Sequence, residues 1–81
     1  MELKEIKKIT EAILFASEDP LSSKEIHRII DEVDVTEKQI KVAIDELSTD
    51  YFNENRAFTL AERGRGWQFV TTESVQHWIQ K

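Results

Sequence analysis

Five apolar residues between Thr36 and Tyr51 restrict what this chain can fold into more than any other feature. Ile40, Ala43, Ile44, Leu47 and Tyr51 fall at i, i+3, i+4, i+7 and i+11, which is one apolar face of a long helix. Thr36 can cap its start and Gln39, three residues on, can reach back, a T-x-x-Q capping box. Two shorter helical patterns precede this stretch and an alternating pattern follows it. The order predicts an α+β fold, a winged helix-turn-helix with three helices, a two-stranded antiparallel wing and a short C-terminal helix. DNA-binding members of that architecture place the third helix in the major groove. The polar face of this one argues against DNA: Glu37, Asp45, Glu46 and Asp50 oppose only Lys38 and Lys41, a net charge of −2.

The length predicts one winged-helix domain, residues 1–81. A chain this short buries only about 60–65% of its unfolded surface, so docking on a partner would help its stability appreciably. With no cysteine there is no disulfide framework, thiolate nucleophile or cysteine zinc site. Nothing near the N-terminus resembles a signal peptide, and charges interrupt every apolar run well short of a membrane span. The expected location is cytoplasmic, with no membrane partner. Eleven basic against 16 acidic residues give a net charge of −5, where reliance on phosphate contacts would call for a basic surface. Composition favours a protein partner.

From Glu2 to Ser17 the pattern is helical, with Ile6, Ile9, Ile13 and Ala16 as one stripe. Leu14 and Phe15 widen that stripe beyond what one core needs. Either the helix is well buried between the second helix and the hairpin, the commoner outcome in a small domain, or it keeps a spare face for a partner. Asp19-Pro20 ends it. Ser22 and Glu25 form an S-x-x-E box at the start of a second helix, whose predicted buried stripe is Ile26, Ile29, Ile30 and Val33. Asp34-Val35 is the turn into the long helix.

Beyond Tyr51, residues 52–56 read as a loop, and then the period becomes two. Gly64-Arg65 suits a type II′ turn, which sets Arg63 opposite Gly66, Glu62 opposite Trp67, Leu60 opposite Phe69 and Phe58 opposite Thr71. Phe58, Leu60 and Phe69 then share the face that rests on the helices. Thr72 can cap a last short helix carrying Val75, Trp78 and Ile79. A helix that short needs a neighbour.

No catalytic constellation is present, and no P-loop, H-x-x-x-H or G-x-G-x-x-G motif. His27 and His77 read as surface histidines, and Gly64-x-Gly66 as a hairpin turn. No cofactor, metal or small-molecule substrate is expected, and no enzyme activity. Arg56, Arg63 and Arg65 cluster near the hairpin, too few to bind DNA tightly without a basic third helix. They read as solvated tip residues or protein contacts, Arg56 near Glu54 and Arg63 near Glu62. Trp67 suits core completion and a half-exposed interface equally, while Trp78 is expected to pack onto the domain. The candidate protein-interface residues are Leu14, Phe15, Trp67 and Trp78, and a homodimer to which Trp67 contributes is expected, with Leu14 or Phe15 the next candidates. The alternative is a winged-helix transcription regulator touching DNA through Lys38, Lys41, Arg63 and Arg65.

Two stretches resemble a known family. Residues 11–22, Glu-Ala-Ile-Leu-Phe-Ala-Ser-Glu-Asp-Pro-Leu-Ser, are similar to the opening of segregation and condensation protein B. Phe58-Thr59-Leu60-Ala61-Glu62 with Gly66-Trp67-Gln68-Phe69-Val70-Thr71 is similar to that family's N-terminal wing. The resemblance implies a non-enzymatic subunit of a chromosome segregation and condensation complex. Such a subunit dimerises and joins a kleisin (segregation and condensation protein A) on the SMC ATPase; on the charge balance above, no direct DNA binding is expected. The family carries two consecutive winged-helix domains, and this chain resembles the first, which is associated with self-association. Much of the kleisin contact is associated with the second. Arg65-Gly66 stands where the family often has paired glycines, a change expected to alter the tip and leave the core alone.

Overall fold

Both predicted capping boxes close in the computed structural model, which describes residues 1–80. Ser22 and Glu25 exchange hydrogen bonds of 3.0 and 3.1 Å at the start of α2 (Ser23–Ile30). Thr36 and Gln39 do the same at 2.9 and 3.1 Å at the start of α3 (Glu37–Asn53). Each box satisfies amide donors that the first helical turn leaves without partners. Ahead of them lies α1 (Leu3–Ala16); behind them come β1 (Phe58–Arg63), β2 (Gly66–Thr71) and α4 (Glu73–Ile79). The architecture is the expected winged helix.

All five residues of the α3 stripe are buried, and they join Ile6, Leu14, Ile26, Val35 and Leu60 in the core. The helix runs two residues past its predicted end. Phe52 points outward, so the apolar period stops at Tyr51 while the helix continues. Asn55 then adopts the left-handed conformation (φ 52°), and the Arg56 amide donates back to the Tyr51 carbonyl at 3.1 Å, a helix stop that asparagine tolerates.

Two predicted stripes are corrected. On α1 the buried face is Ile6, Thr10 and Leu14, with Ile9 and Ile13 half-buried and Ala16 exposed. The centre of that face is a threonine with no exposed surface, so a stripe drawn through apolar residues alone comes out rotated. Leu14, a candidate interface residue, is 2% exposed and belongs to the core. On α2 the helix stops at Ile30, where Asp31 turns left-handed (φ 50°). Helical spacing therefore does not reach Val33, which is exposed together with Ile29, and Val35 enters the core in its place. His27 does more than sit on the surface: half-buried, its Nε2 donates to the Val35 carbonyl at 2.8 Å and ties α2 to the turn.

The wing has the predicted register, Arg63 opposite Gly66 through Phe58 opposite Thr71. Gly64 has φ 60° and Arg65 does not have positive φ, as a II′ turn requires. Gly66 serves another purpose. A Cβ there would lie 2.7 Å from the Leu21 backbone and 2.9 Å from that of Pro20. This glycine lets the chain after α1 approach β2, where Leu21 and Trp67 exchange backbone hydrogen bonds of 2.8 and 3.0 Å. A change at that position would therefore reach beyond the tip.

Candidate protein-interaction surfaces

Between α1 and α3 runs an open groove of about 550 Å³, and its polar residues largely satisfy one another. Lys7 bridges Asp50 and Glu46 of α3, and its hydrogen bond to Asp50 holds the ammonium above its ordinary pKa. Tyr51 donates to Glu11 at 2.6 Å. Burial first, then that carboxylate, pushes the phenol up to about 12. Arg56 stacks over the Tyr51 ring at 5.1 Å and pairs with Glu54 at 3.2 Å, the expected Arg56 partner. The Lys7 and Glu11 contacts join α1 to α3. Among the described residues no three His, Cys, Asp or Glu side chains are grouped to hold a metal.

Several large apolar residues are left in water. Phe15 is 63% exposed. One residue along a helix is a rotation of about 100°, enough to turn position 15 outward while Leu14 enters the core. Its ring meets Phe58 and Phe69 of the wing edge-on at 6.0 Å each, and Phe69 continues inward to Tyr51 at 5.1 Å. The exposed ring is thus supported from beneath by a short aromatic ladder.

Trp67 is half-buried against the core, pinned by its backbone bonds to Leu21. Trp78 departs from the expected packing. It is 61% exposed, α4 buries no residue, and its ring lies 4.4 Å from that of His77. The helix is held at its start, where the Thr72 amide donates to the Ala57 carbonyl at 2.9 Å, while Trp78 and Ile79 lie in its second turn. Of the four interface candidates, then, one is core, one is half-buried, and Phe15 and Trp78 are exposed on different elements. Sequence reasoning missed Phe52, Ile29 and Val33. Phe52 was legible, since it lies one residue off the α3 stripe; Val33 was not, because the α2 stop at Asp31 carries no glycine or proline.

Lys38, Lys41, Arg63 and Arg65 are all exposed. Lys41 pairs with Glu37 at 3.2 Å, and exposed Asp45 follows one turn later on the same helix. The candidate DNA-reading surface of α3 is therefore partly neutralised and flanked by acid. No helix among the described residues is long and apolar enough to cross a membrane.

A family model for segregation and condensation complex subunit ScpB matches residues 8–81. A segregation and condensation protein B of Clostridioides difficile is 28% identical over all 81 residues, and the chain covers 45% of its length. A homolog from Coxiella burnetii is 32% identical over 76 residues, with 35% of its length covered. The chain thus spans less than half of these curated relatives. A crystal structure described as a dimer of the ScpB N-terminal domain complexed with ScpA peptide is similar, with 33% identity and a TM-score of 0.84 over 96% of this chain and 94% of that one. ScpB from Mycobacterium tuberculosis, 12% identical, shares the fold with a TM-score of 0.87 over 99% of this chain and 48% of its own.

Proposed function

The chain belongs to the ScpB family of segregation and condensation complex subunits, and on that premise we propose that residues 1–81 are one self-associating, non-enzymatic protein-binding domain. In this reading it pairs with its own copy, takes up a segment of the kleisin subunit, and so helps assemble the kleisin–SMC complex in the cytoplasm. The observation that carries the reading is Phe15, a large aromatic residue left in water on a rigid aromatic support. Aromatic anchors of that kind dominate protein interfaces. Support also comes from the structural relative at 33% identity, whose description names both a dimer and a ScpA peptide. The acid along α3 and the net charge of −5 disfavour phosphate contacts.

Fluorescence anisotropy with two probes tests this. A labelled peptide from the kleisin subunit is expected to bind at micromolar concentration, and a labelled DNA duplex is not. Micromolar duplex binding that weakens steeply with salt, with no peptide binding, would overturn the proposal in favour of a DNA-binding winged helix.

A further inference from the structure

We propose that β1 is an open sheet edge that takes up an extended segment of another protein as an added antiparallel strand, apolar at alternate residues and with an acid opposite Arg63. It does not depend on the self-association or the kleisin contact proposed above. The hairpin dictates which backbone groups are open, because bonded and non-bonded pairs alternate along an antiparallel ladder. The Thr72 amide donates to the Ala57 carbonyl, so the bonded pairs that follow are Thr59 with Val70, Ala61 with Gln68 and Arg63 with Gly66. Phe58, Leu60 and Glu62 therefore turn their N–H and C=O groups away from β2. Trp67, opposite Glu62, has the same phase, since its outward groups are the ones that bond Leu21.

The two edges of the hairpin differ. β2 is covered where Leu21 pairs with Trp67. On β1, no backbone hydrogen bond among the described residues reaches the outward groups of Phe58, Leu60 or Glu62. Proteins protect such edges with proline, bulges or charges. Residues 58–61 have none of these: the register is continuous, and the charges of β1, Glu62 and Arg63, lie at the tip.

The two sides of the strand specify the occupant. Phe58, Leu60 and Glu62 share the helix-facing side, and Thr59, Ala61 and Arg63 the other. At the start of the strand Phe58 and Thr59 share an open cleft of about 280 Å³ with Phe52, which is 82% exposed, an apolar landing for a residue set beside Phe58. At the tip Arg63 is exposed and has no ion-pair partner among the described residues. A residue opposite it on an added strand sits in a non-bonded pair, where side chains approach most closely, so an acid there is the complement. Pairing of β1 with its own copy cannot supply that acid, because Glu62 is the strand's only acid and lies on the other side. A segment of a different protein can.

Amide hydrogen exchange followed by nuclear magnetic resonance tests the edge. The probe is a designed peptide, one glutamate followed by valine and threonine in alternation. Laid antiparallel, it sets the glutamate beside Arg63 and the valine amides toward β1. In the free protein the amides of Phe58, Leu60 and Glu62 are expected to exchange faster than those of Thr59, Ala61 and Arg63. Bound peptide should slow the first set and leave the second unchanged. Methylating the valine amides should abolish binding, and methylating the threonine amides should not. Glu62→Pro removes an outward N–H and no ladder bond, so it should weaken binding about tenfold with the hairpin intact. Arg63→Glu should weaken it about fivefold, and lysine in place of the peptide's glutamate should restore it. A peptide that protects no β1 amide at millimolar concentration, or that binds as well with its valine amides methylated, would overturn the proposal. Protection of the same amides by raising the protein concentration alone would overturn it too, by making a second copy the occupant.

Discussion

α3 and α1 are both amphipathic helices of one small core, yet they use their apolar residues differently. On α3 the five residues of the apolar stripe are all buried, and the apolar residues off it, Val42 and Phe52, are exposed. On α1 a threonine occupies the centre of the buried face while a phenylalanine lies in water. A core needs a limited number of large side chains, and α3 supplies five of its ten apolar residues, more than any other element. The surplus on α1 is then free to serve another surface. The comparison teaches that burial tracks helical phase more closely than residue type, and that a residue out of place for stability is a guide to binding.

The contrast breaks first if the α3 face is misassigned. Ile44→Ala and Leu47→Ala are each expected to cost roughly 2–5 kcal/mol, the range for truncations that leave a core cavity. Exposed Asp45→Ala should change stability by less than about 0.5 kcal/mol. Denaturant melts that rank Asp45 with Leu47 would refute the assignment.

The two wing glycines sharpen it next. Gly66→Ala should cost about 1–3 kcal/mol, because its Cβ meets backbone rather than a movable side chain. It should also expose the Leu21 and Trp67 amides to hydrogen exchange. Gly64→Ala meets open space and bears only the left-handed penalty, about 1 kcal/mol. Equal losses in thermal melts would mean that the approach of Leu21 to the wing contributes little.

Thr10 is the α1 counterpart of these core positions. Its hydroxyl is fully buried with no hydrogen-bond partner among the described residues. Thr10→Val keeps the shape and removes the unsatisfied group, so it should raise stability by about 1 kcal/mol. A loss of similar size would show that the hydroxyl is satisfied in solution.

The α1–α3 tie has a pH signature. The folded state holds the Tyr51 phenol up to about 12, so that stabilisation is complete below the ordinary phenol range near 10. It is lost as pH rises through the folded value. Lys7, also raised, loses its contribution in the same direction. Tyr51 is the only tyrosine, so tyrosinate absorbance reports it without ambiguity. Ionisation at the free-phenol value in the folded protein would contradict the Glu11 contact.

Features fixed by neighbours in sequence were legible from it. The two capping boxes, the II′ turn and the alternation of Phe58, Leu60, Trp67 and Phe69 depend on residues a few positions apart, and they gave helix starts and wing register. What escaped depends on distant packing. Thr10 is buried because of where α3 lies against α1, and Gly66 is constrained by a strand of chain over forty residues earlier. Val33 is exposed because α2 stops at Asp31. Of the interface candidates, Phe15 was legible as surplus, but Leu14 could be told from it only once the phase of α1 was fixed by contact.

The central claim is that Phe15 is kept out of the core for association, and sedimentation velocity of wild type beside Phe15→Ser tests it most directly. The wild type is expected to shift from monomer to dimer as concentration rises. The variant should stay monomeric, with unchanged circular dichroism and a stability loss of about 1 kcal/mol from its ring contacts. Identical concentration dependence in the two proteins, or loss of the fold in the variant, would contradict the claim.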